Sequence, residues 1–312
     1  MSKNKNSTKI FIAPEVGFCF GVKRSIELLN KTRKEYPEAN IITYGPIIHN
    51  EFVINEFIKK NIYPVNNEKE ITKLPRNTII VIRSHGVGEP TLKRLKKKGY
   101  IVIDGTCPFV KKVHLNGLNL CKEKYSVILI GDKEHPEVKG IAETLKNKLT
   151  IINSVSEVEK LNNIRLNKIG VIIQTTQDHK KVNEILLALF KKYKEIKLFN
   201  TLCNATFLRQ YYANLLSQKV DLMMIIGSKT SGNTRRLFEI SKKNCKKTYL
   251  ISDENDIKKI KFTNIKKIGI ITGASTPDLL IKITIENLKK IMKIKEIKYL
   301  KREELEATKN GL

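Results

Sequence analysis

Long apolar runs are missing from this 312-residue sequence. No stretch approaches the roughly 18–20 consecutive apolar residues of a membrane-spanning helix, so we expect no segment to cross a membrane. The first residues, MSKNKNSTKI, are polar and lysine-rich and lack the apolar centre of a secretory signal. We therefore expect a cytoplasmic protein, although a plastid-type protein without its transit peptide would have the same features.

Closely spaced cysteines are also missing. The five cysteines are an odd number and lie far apart, at positions 19, 107, 121, 203 and 245. This spacing differs from the dense disulfide framework of small secreted domains, and it excludes zinc fingers and the local CxxCxxC pattern of ferredoxins. It favours a reducing compartment in which thiols act as metal ligands or catalytic groups.

Three common enzyme fingerprints do not occur. The sequence has no GxSxG serine-hydrolase turn, no GxxxxGK[ST] phosphate loop and no GxGxxG dinucleotide loop. The usual serine hydrolases, P-loop proteins and dinucleotide-binding enzymes are therefore excluded.

Acidic residues are scarce: 31 stand against 59 basic residues, which gives a net charge of +28. Such a balance is compatible with nucleic-acid binding. However, the lysines are spread over almost every segment and form no RGG tract or aromatic-interleaved basic motif. We favour a solvated lysine-rich surface that attracts anionic substrates and acidic protein partners. A non-catalytic nucleic-acid-associated protein is the alternative.

Short β-branched runs alternate with amphipathic stretches, which predicts parallel α/β units. The strand-like runs are 9–13, 41–44, 78–82, 100–104, 126–131, 168–173, 221–227, 247–252 and 267–272. The helix-like stretches include 21–36, 108–124, 179–193, 205–217 and 277–292.

An internal repeat of about 90 residues emerges when three cysteines are aligned. GFCFGVKR, GTCPFVKK and TLCNATFLR each end a loop and open a helix, and two polar corners follow each of them. The corners are His49-Asn50, His135-Pro136-Glu137 and Ser231-Gly232-Asn233, then Ser84-His85, Thr175-Thr176 and Ser275-Thr276. Ligand groups gather at the carboxyl ends of parallel strands. We therefore predict three similar units, 9–106, 107–202 and 203–292, in pseudo-threefold arrangement around a central cavity, with a tail at 293–312.

Three converging thiols, from Cys19, Cys107 and Cys203, suit a metal ion or a cluster. A lone zinc would normally take two ligands from one local motif. A [4Fe–4S] cluster with three thiolates leaves one iron open to bind and reduce a substrate. A zinc-dependent hydrolase on the same thiols stays open. Cys121 and Cys245 lie at no repeat corner, and we expect them to be structural.

The polar corners predict an anion site, because helix starts with hydroxyl, amide and imidazole donors bind phosphate. Ser275 and Thr276 are expected at a helix N-cap with Pro277 near the first helical position. Glu137 is the one carboxylate at a corner and is a candidate proton donor. His114 and His179 fall in predicted helices and are expected to be structural or solvated.

These motifs resemble the 4-hydroxy-3-methylbut-2-enyl diphosphate reductase (IspH/LytB) family, which performs the last step of the non-mevalonate (MEP) isoprenoid pathway. The matching stretches occur in family order over roughly residues 10–290: GFCFGV, IIHN, SHGV, GTCPFVKKVH, HPEVKG, QTT, GSKTSGNTRRL and TGASTPD. Many relatives carry a second serine where this chain has Gly232. Relatives also carry polar residues where this chain has Phe207 and Leu208.

The resemblance implies an iron–sulfur reductase with one [4Fe–4S] cluster on Cys19, Cys107 and Cys203. It implies that Glu137 supplies protons and that Thr175 positions the substrate hydroxyl. It places six residues around the diphosphate: His49, His85, His135, Ser231, Asn233 and Ser275. The allylic alcohol would be reduced to isopentenyl and dimethylallyl diphosphates, with single electrons from a ferredoxin or flavodoxin.

Overall fold

The computed structural model describes residues 7–161 and 168–306. The strands are β1 (Thr8–Ile12), β2 (Ile41–Tyr44), β3 (Ile62–Val65), β4 (Ile79–Ile82), β5 (Ile101–Asp104), β6 (Ser126–Ile130), β7 (Leu149–Ile152), β8 (Lys168–Ile173), β9 (Glu195–Leu198), β10 (Leu222–Ile226), β11 (Thr248–Ile251), β12 (Lys267–Thr272) and β13 (Ile294–Tyr299). The helices are α1 (Phe20–Glu35), α2 (Glu51–Ile58), α3 (Glu68–Ile71), α4 (Glu89–Lys97), α5 (Pro108–Lys122), α6 (Pro136–Leu145), α7 (Val155–Glu159), α8 (His179–Lys192), α9 (Asn204–Ser217), α10 (Gly232–Asn244), α11 (Glu254–Lys258), α12 (Asp278–Ile291) and α13 (Arg302–Glu306). Over these described ranges, no helix combines the length and apolarity needed to cross a membrane.

The strands form three sheets in which the paired strands run parallel. Sheet A has the order β11-β10-β12-β1-β13, sheet B has β3-β2-β4-β5, and sheet C has β7-β6-β8-β9. Parallel strands that helices cover on both faces need continuous apolar sequences. The IIVI run of β4 and the LMMII run of β10 satisfy this need, since every residue in both is buried. The predicted class, three parallel-sheet α/β units, is confirmed.

The chain divides into two compact units. One comprises Met1–Cys19, His49–Val53 and Asn204–Leu312, and the other comprises Phe20–Ile48 and Ile54–Cys203. Sheet A lies in the first unit, and sheets B and C lie in the second. The predicted pseudo-threefold arrangement around a central cavity stays a prediction.

One strand order occurs three times, and the first strand of the chain completes the third copy. The copies are β3-β2-β4-β5, β7-β6-β8-β9 and β11-β10-β12-β1. The predicted boundaries place β1 in unit 9–106 and residues 293–312 in a tail, whereas β1 and β13 both belong to sheet A. The reason is burial: Ile10 and Ile12 are fully buried, so β1 needs neighbours on both sides and pairs with β12 and β13. Residues 307–312 of the predicted tail lie outside the described residues.

Within the second unit, a carboxylate of α6 joins sheet C to the start of α4. Gly88 occupies the N-cap of α4 and has no side chain with which to cap it. Glu143 supplies the acceptor instead: its Oε2 accepts from the Gly88 N–H at 3.1 Å, and its Oε1 accepts from Thr91 Oγ1 at 2.7 Å. Arg94 Nη2 also donates to Oε1, at 3.0 Å. We call these four residues the Glu143 network.

We predict that Glu143→Ala destabilises the protein, because it leaves the donors of Gly88, Thr91 and Arg94 without their shared acceptor. The expected loss of unfolding free energy is about 1.5–3 kcal/mol, the range for hydrogen bonds to charged groups. Urea unfolding measures it. Glu89→Ala is the control, since Glu89 pairs at 2.7 Å with a largely exposed lysine, Lys93. The control should lose less than about 1 kcal/mol, and equal losses in the two variants would contradict the role of the Glu143 network.

Candidate functional site

The three predicted ligand cysteines occupy equivalent backbone positions. Cys19 lies between β1 and α1, Cys107 between β5 and α5, and Cys203 between β9 and α9. Each backbone N–H donates to a carbonyl just beyond the adjacent strand. The acceptors are Ser84 for Cys107 (2.9 Å), Thr175 for Cys203 (2.9 Å) and Ala274 for Cys19 (3.0 Å). The repeat seen in the sequence is therefore also present in the hydrogen bonding.

The surroundings of these three cysteines would accommodate negatively charged sulfur ligands. None of the three cysteines forms a disulfide, and all three are partly buried. None of the helices that follow them, α1, α5 and α9, has an acidic residue in its first turn. The unpaired amides of a helix start favour negative charge. A Cβ atom added at Gly21 would come within 2.6 Å of the Cys107 sulfur, so the glycine leaves the space that this thiol occupies.

The thiols do not form a ready-made metal group by themselves. Cys19 belongs to the first compact unit, whereas Cys107 and Cys203 belong to the second. Across residues 7–161 and 168–306, no group of three or more histidine, cysteine or carboxylate side chains is arranged to hold a metal ion. The chemistry of the donors fits a cluster, and their assignment as ligands stays a proposal.

Two predicted histidines meet in the second unit, at the carboxyl ends of neighbouring sheets. His85 follows β4 and His135 follows β6, and their rings are perpendicular with centroids 5.4 Å apart. His135 is the N-cap of α6, where its Nδ1 accepts from the Glu137 N–H at 3.2 Å. An accepting Nδ1 carries no proton, so the neutral ring has its proton on Nε2. That nitrogen is a hydrogen-bond donor suited to an anion.

Glu137 and Thr175 form a buried pair across β6 and β8. Glu137 is 1% exposed. The Thr175 N–H donates to Oε1 at 2.8 Å, and its hydroxyl donates to Oε2 at 2.7 Å. Burial raises the pKa of Glu137 to about 7, although the two bonds from Thr175 oppose the rise. A carboxyl group that titrates near neutral pH can both hold and release a proton, as an acid catalyst requires.

The corner after β10 contains a buried amide without a partner. Ser231 is the N-cap of α10, and its Oγ accepts from the Thr234 N–H at 3.3 Å. Both polar side-chain atoms of Asn233 are buried, and neither has a hydrogen-bond partner among the described residues. An unsatisfied buried polar group costs roughly 1–3 kcal/mol, which points to a ligand that completes it. Gly232 faces open space, since an added Cβ would have no neighbour within 4 Å.

The prediction that Ser275 and Thr276 cap the next helix is wrong. α12 begins at Asp278, and Pro277 is its N-cap residue. The hydroxyl of Thr276 donates instead to the carbonyl of Ile226, at the end of the neighbouring strand β10. Ser275 Oγ donates at 3.2 Å to the carbonyl of His49. Ser275 therefore links the His49 corner to the end of β12, within the first unit.

The remaining histidines and cysteines have the structural surroundings predicted for them. His114 Nδ1 lies 3.1 Å from Thr144 Oγ1, and burial lowers the pKa of His114 to about 4. His179 is the first residue of α8, and burial also lowers its pKa. Cys245 is buried in the core of sheet A. Cys121 packs against the core of sheet C, where burial raises the pKa of its thiol.

Sequence reasoning missed Arg209, which supports the loop before Cys19. Its side chain is fully buried in α9, and Nη2 donates to the Gly17 carbonyl at 3.1 Å. Nη1 lies 3.7 Å from a Glu15 oxygen. Gly17 has φ +76°, a conformation that favours glycine. The signal that could have found Arg209 is its position inside α9, a helix with buried residues on several of its faces.

Comparison with known proteins now identifies the family. A family model described as LytB protein matches residues 10–289. This chain belongs to the LytB family. The Helicobacter pylori (strain P12) relative is 39% identical over 281 residues, which cover 90% of this chain and 97% of that protein. The Caldanaerobacter subterraneus subsp. tengcongensis relative is 42% identical over 91% of this chain and 97% of its own length.

Both relatives are named 4-hydroxy-3-methylbut-2-enyl diphosphate reductase, as is a Clostridium tetani protein that is 38% identical over 96% of this chain. The chain spans about half (46%) of the length of that clostridial protein. A solved structure described as the reductase that ends the non-mevalonate pathway has a TM-score of 0.69, with 36% identity over 91% of this chain and 100% of that chain. The Plasmodium falciparum reductase has a TM-score of 0.86 with 28% identity, over 94% of this chain and 92% of its own. The family and fold that the motifs implied are thus confirmed.

The raised pKa of Glu137 predicts a pH-dependent stability difference from Glu137→Gln. The pKa in the folded protein is about 7, raised from 4.5. The protonated carboxyl therefore stabilises the fold fully below pH 4.5, and this stabilisation is lost as pH rises through about 7. Glutamine cannot ionise and can bond to both Thr175 groups. Urea unfolding should show the variant gaining up to about 3 kcal/mol over the wild type between acidic and mildly alkaline pH. A constant difference would contradict the assignment.

Proposed function

We propose that this chain reduces (E)-4-hydroxy-3-methylbut-2-enyl diphosphate to isopentenyl diphosphate and dimethylallyl diphosphate, the last step of the non-mevalonate pathway. The observation that carries the proposal is the match, over nearly their full length, to relatives named for this reaction. Family membership favours this reductase over a lysine-rich nucleic-acid-associated protein and over a zinc-dependent hydrolase.

The reaction sets three requirements for the site. The allylic C–O bond breaks, the hydroxyl leaves as water, and the carbon skeleton gains two electrons. One proton joins the leaving oxygen and a second joins carbon, so two protons balance the two electrons. The site therefore needs a source of electrons, an acid near the hydroxyl and donors for the diphosphate.

For the electrons, Cys19, Cys107 and Cys203 hold one [4Fe–4S] cluster in this proposal. Their equivalent positions, partial exposure and wide spacing in sequence support this set over a local metal motif. When bound, such a cluster supplies redox equivalents and one iron open to the substrate oxygen. Gly21 and the helix starts without acidic residues are the local features that would accommodate the thiolates.

For the diphosphate, six polar side chains are the proposed donors: His49, His85, His135, Ser231, Asn233 and Ser275. The unpartnered amide of Asn233 supports this role most directly, because an anion would satisfy its buried N–H groups. His135 contributes its Nε2–H, since Nδ1 is held as an acceptor by the Glu137 N–H.

For the proton, Glu137 is the acid and Thr175 positions the substrate hydroxyl. The buried carboxyl is protonated in a substantial fraction of molecules near neutral pH. Its hydrogen bond with the Thr175 hydroxyl, at 2.7 Å, fixes the orientation of both groups. The buried carboxyl is then neutral before the reaction, and it becomes a charged carboxylate only when it gives up its proton.

The proposal includes an acidic ferredoxin or flavodoxin as the electron donor, since the reduction needs electrons from outside the chain. The net charge of +28 favours association with such a protein. A cytoplasmic location is part of the same proposal.

Protein purified without oxygen is predicted to be brown and to contain close to four irons and four sulfides per chain. Cys107→Ser should lose most of this iron, because the variant removes one of only three thiolates. Cys121→Ser is the matched control, since Cys121 packs against the core of sheet C. Iron and sulfide assays measure both. The same iron content in the two variants would remove Cys107 from the ligand set.

The reductase activity itself is tested with substrate and reduced methyl viologen, by measuring the two diphosphate products. Glu137→Gln should keep the iron yet turn over at least about a hundredfold more slowly, because positioned acid catalysis contributes about 10²–10⁴-fold. Thr175→Ala should show a milder loss, because it is not the proton source. Near-normal turnover in Glu137→Gln would assign the acid to another group, and wild-type protein with full iron and no product would refute the reductase.

A further inference from the structure

Two exposed aromatic rings meet at the starts of α1 and α5, in the second unit. Phe20 is the first residue of α1 and is 63% exposed, and Phe109 in the first turn of α5 is 46% exposed. Their rings are nearly perpendicular, with centroids 6.4 Å apart. Exposed apolar side chains that adjoin one another, unlike those scattered singly, are a feature of interaction sites.

The pair lies beside the proposed cluster ligands. Phe20 directly follows Cys19 in the chain, and Phe109 is two residues after Cys107. Gly21, next to Phe20, packs against the sulfur of Cys107, where an added Cβ would come within 2.6 Å. A protein that covered these rings would therefore approach the Cys107 thiol.

Lysines that have no carboxylate partner in the described part of the chain lie near the starts of both helices, where helix stability alone would favour negative charge; Lys111, by contrast, pairs with Asp104 at 2.6 Å. Neither α1 nor α5 has an acidic residue in its first turn. Lys23 and Lys112 are exposed near these helix starts, and among the described residues no carboxylate pairs with either. Cations near a helix N-terminus oppose the helix dipole, so the helices themselves do not explain these lysines.

We propose that Phe20, Phe109, Lys23 and Lys112 form the docking surface for an acidic protein that carries one electron at a time. The proposal rests on the reductase function above, which requires electrons from outside. An apolar centre with a charged rim is typical of a transient interface, and electron-transfer contacts are small. The lysines would steer the acidic carrier, and the rings would give the contact its affinity.

The test compares two reductants on the same iron-loaded protein. A purified acidic flavodoxin, reduced to its hydroquinone, must dock before it delivers electrons, whereas reduced methyl viologen needs no docking surface. In the Phe20→Ala/Phe109→Ala variant, flavodoxin-driven kcat/KM should fall at least about tenfold, the effect of losing about 1.4 kcal/mol of contact. Viologen-driven turnover and iron content should stay at the wild-type level. Lys23→Glu/Lys112→Glu should lower the flavodoxin-driven rate and also weaken its dependence on salt.

Phe190→Ala/Lys191→Glu is the matched control, because Phe190 on α8 is 74% exposed and Lys191 is exposed beside it. It should leave both rates unchanged. Equal flavodoxin-driven rates in the control and in the docking variants would overturn the proposal, as would parallel losses with both reductants accompanied by loss of iron.

Calorimetric titration with oxidised flavodoxin separates this inference from the reductase function, since binding needs no turnover. The affinity should fall at least about tenfold in the Phe20→Ala/Phe109→Ala variant and stay constant in the control. If the wild type made no product with either reductant, the reductase function would fail. The titration would still decide whether this surface binds the acidic carrier, and unchanged affinity would refute it.

Discussion

Parallel strand pairing, with helices on both faces, is the constraint on which the candidate site depends. Parallel neighbours need a crossover, so the carboxyl ends of the strands collect at one edge of each sheet and lead into helix starts. In each sheet, two adjacent strands are followed by connections that lead to opposite sides of the sheet. These pairs are β2 and β4, β6 and β8, and β10 and β12. The polar corners follow these strands, and each cysteine follows the next strand along. Ligand sites in open α/β sheets form at such switch points.

The buried polar groups at these corners lower the stability of the fold. Glu137 has a pKa raised by burial, and the buried amide atoms of Asn233 have no hydrogen-bond partner within the part of the chain that the structure describes. An apolar residue at either position would avoid the cost of burying a polar group. Conflicts of this kind between local environment and residue type are expected where function requires them. Arg209 differs from both, because its buried guanidinium is bonded to backbone carbonyls and supports the Cys19 loop.

In the described sheets, the central strands and the long helices could be predicted from the sequence, whereas only two of the six edge strands, β5 and β11, could be. The predicted runs 41–44 and 168–173 coincide with β2 and β8, because a doubly covered strand must be apolar along its length. The unpredicted β3, β7, β9 and β13 lie at sheet edges. Lysine, glutamate or proline interrupts three of them, as in IYPV, EIKL and IKEIKY. An edge strand is partly exposed and leaves a weak pattern.

The site residues were found as motifs, but their partners depend on packing that no local pattern shows. The sequence repeat runs forward from each cysteine, whereas each sheet contains the strand before a cysteine together with the strands before two polar corners. The first strand, β1, therefore joins sheet A with β10 and β12, which are distant in the sequence. The N-cap of α12 was misplaced because the Thr276 hydroxyl has a carbonyl partner on another strand. The Asn233 environment likewise becomes visible only when the neighbouring elements are in place.

Helix α6 couples sheets B and C through both of its ends. At its start, His135 caps the helix and Glu137 reaches Thr175 of sheet C. Near its other end, Glu143 accepts from the Gly88 N–H, four residues after Ser84 on the loop that carries His85. Gly140 lies between them, and an added Cβ would come within 3.2 Å of the Val87 backbone, so only glycine allows this approach without a shift. The separation of the His85 and His135 rings is therefore set by the packing of one helix, and the same helix carries the proposed acid.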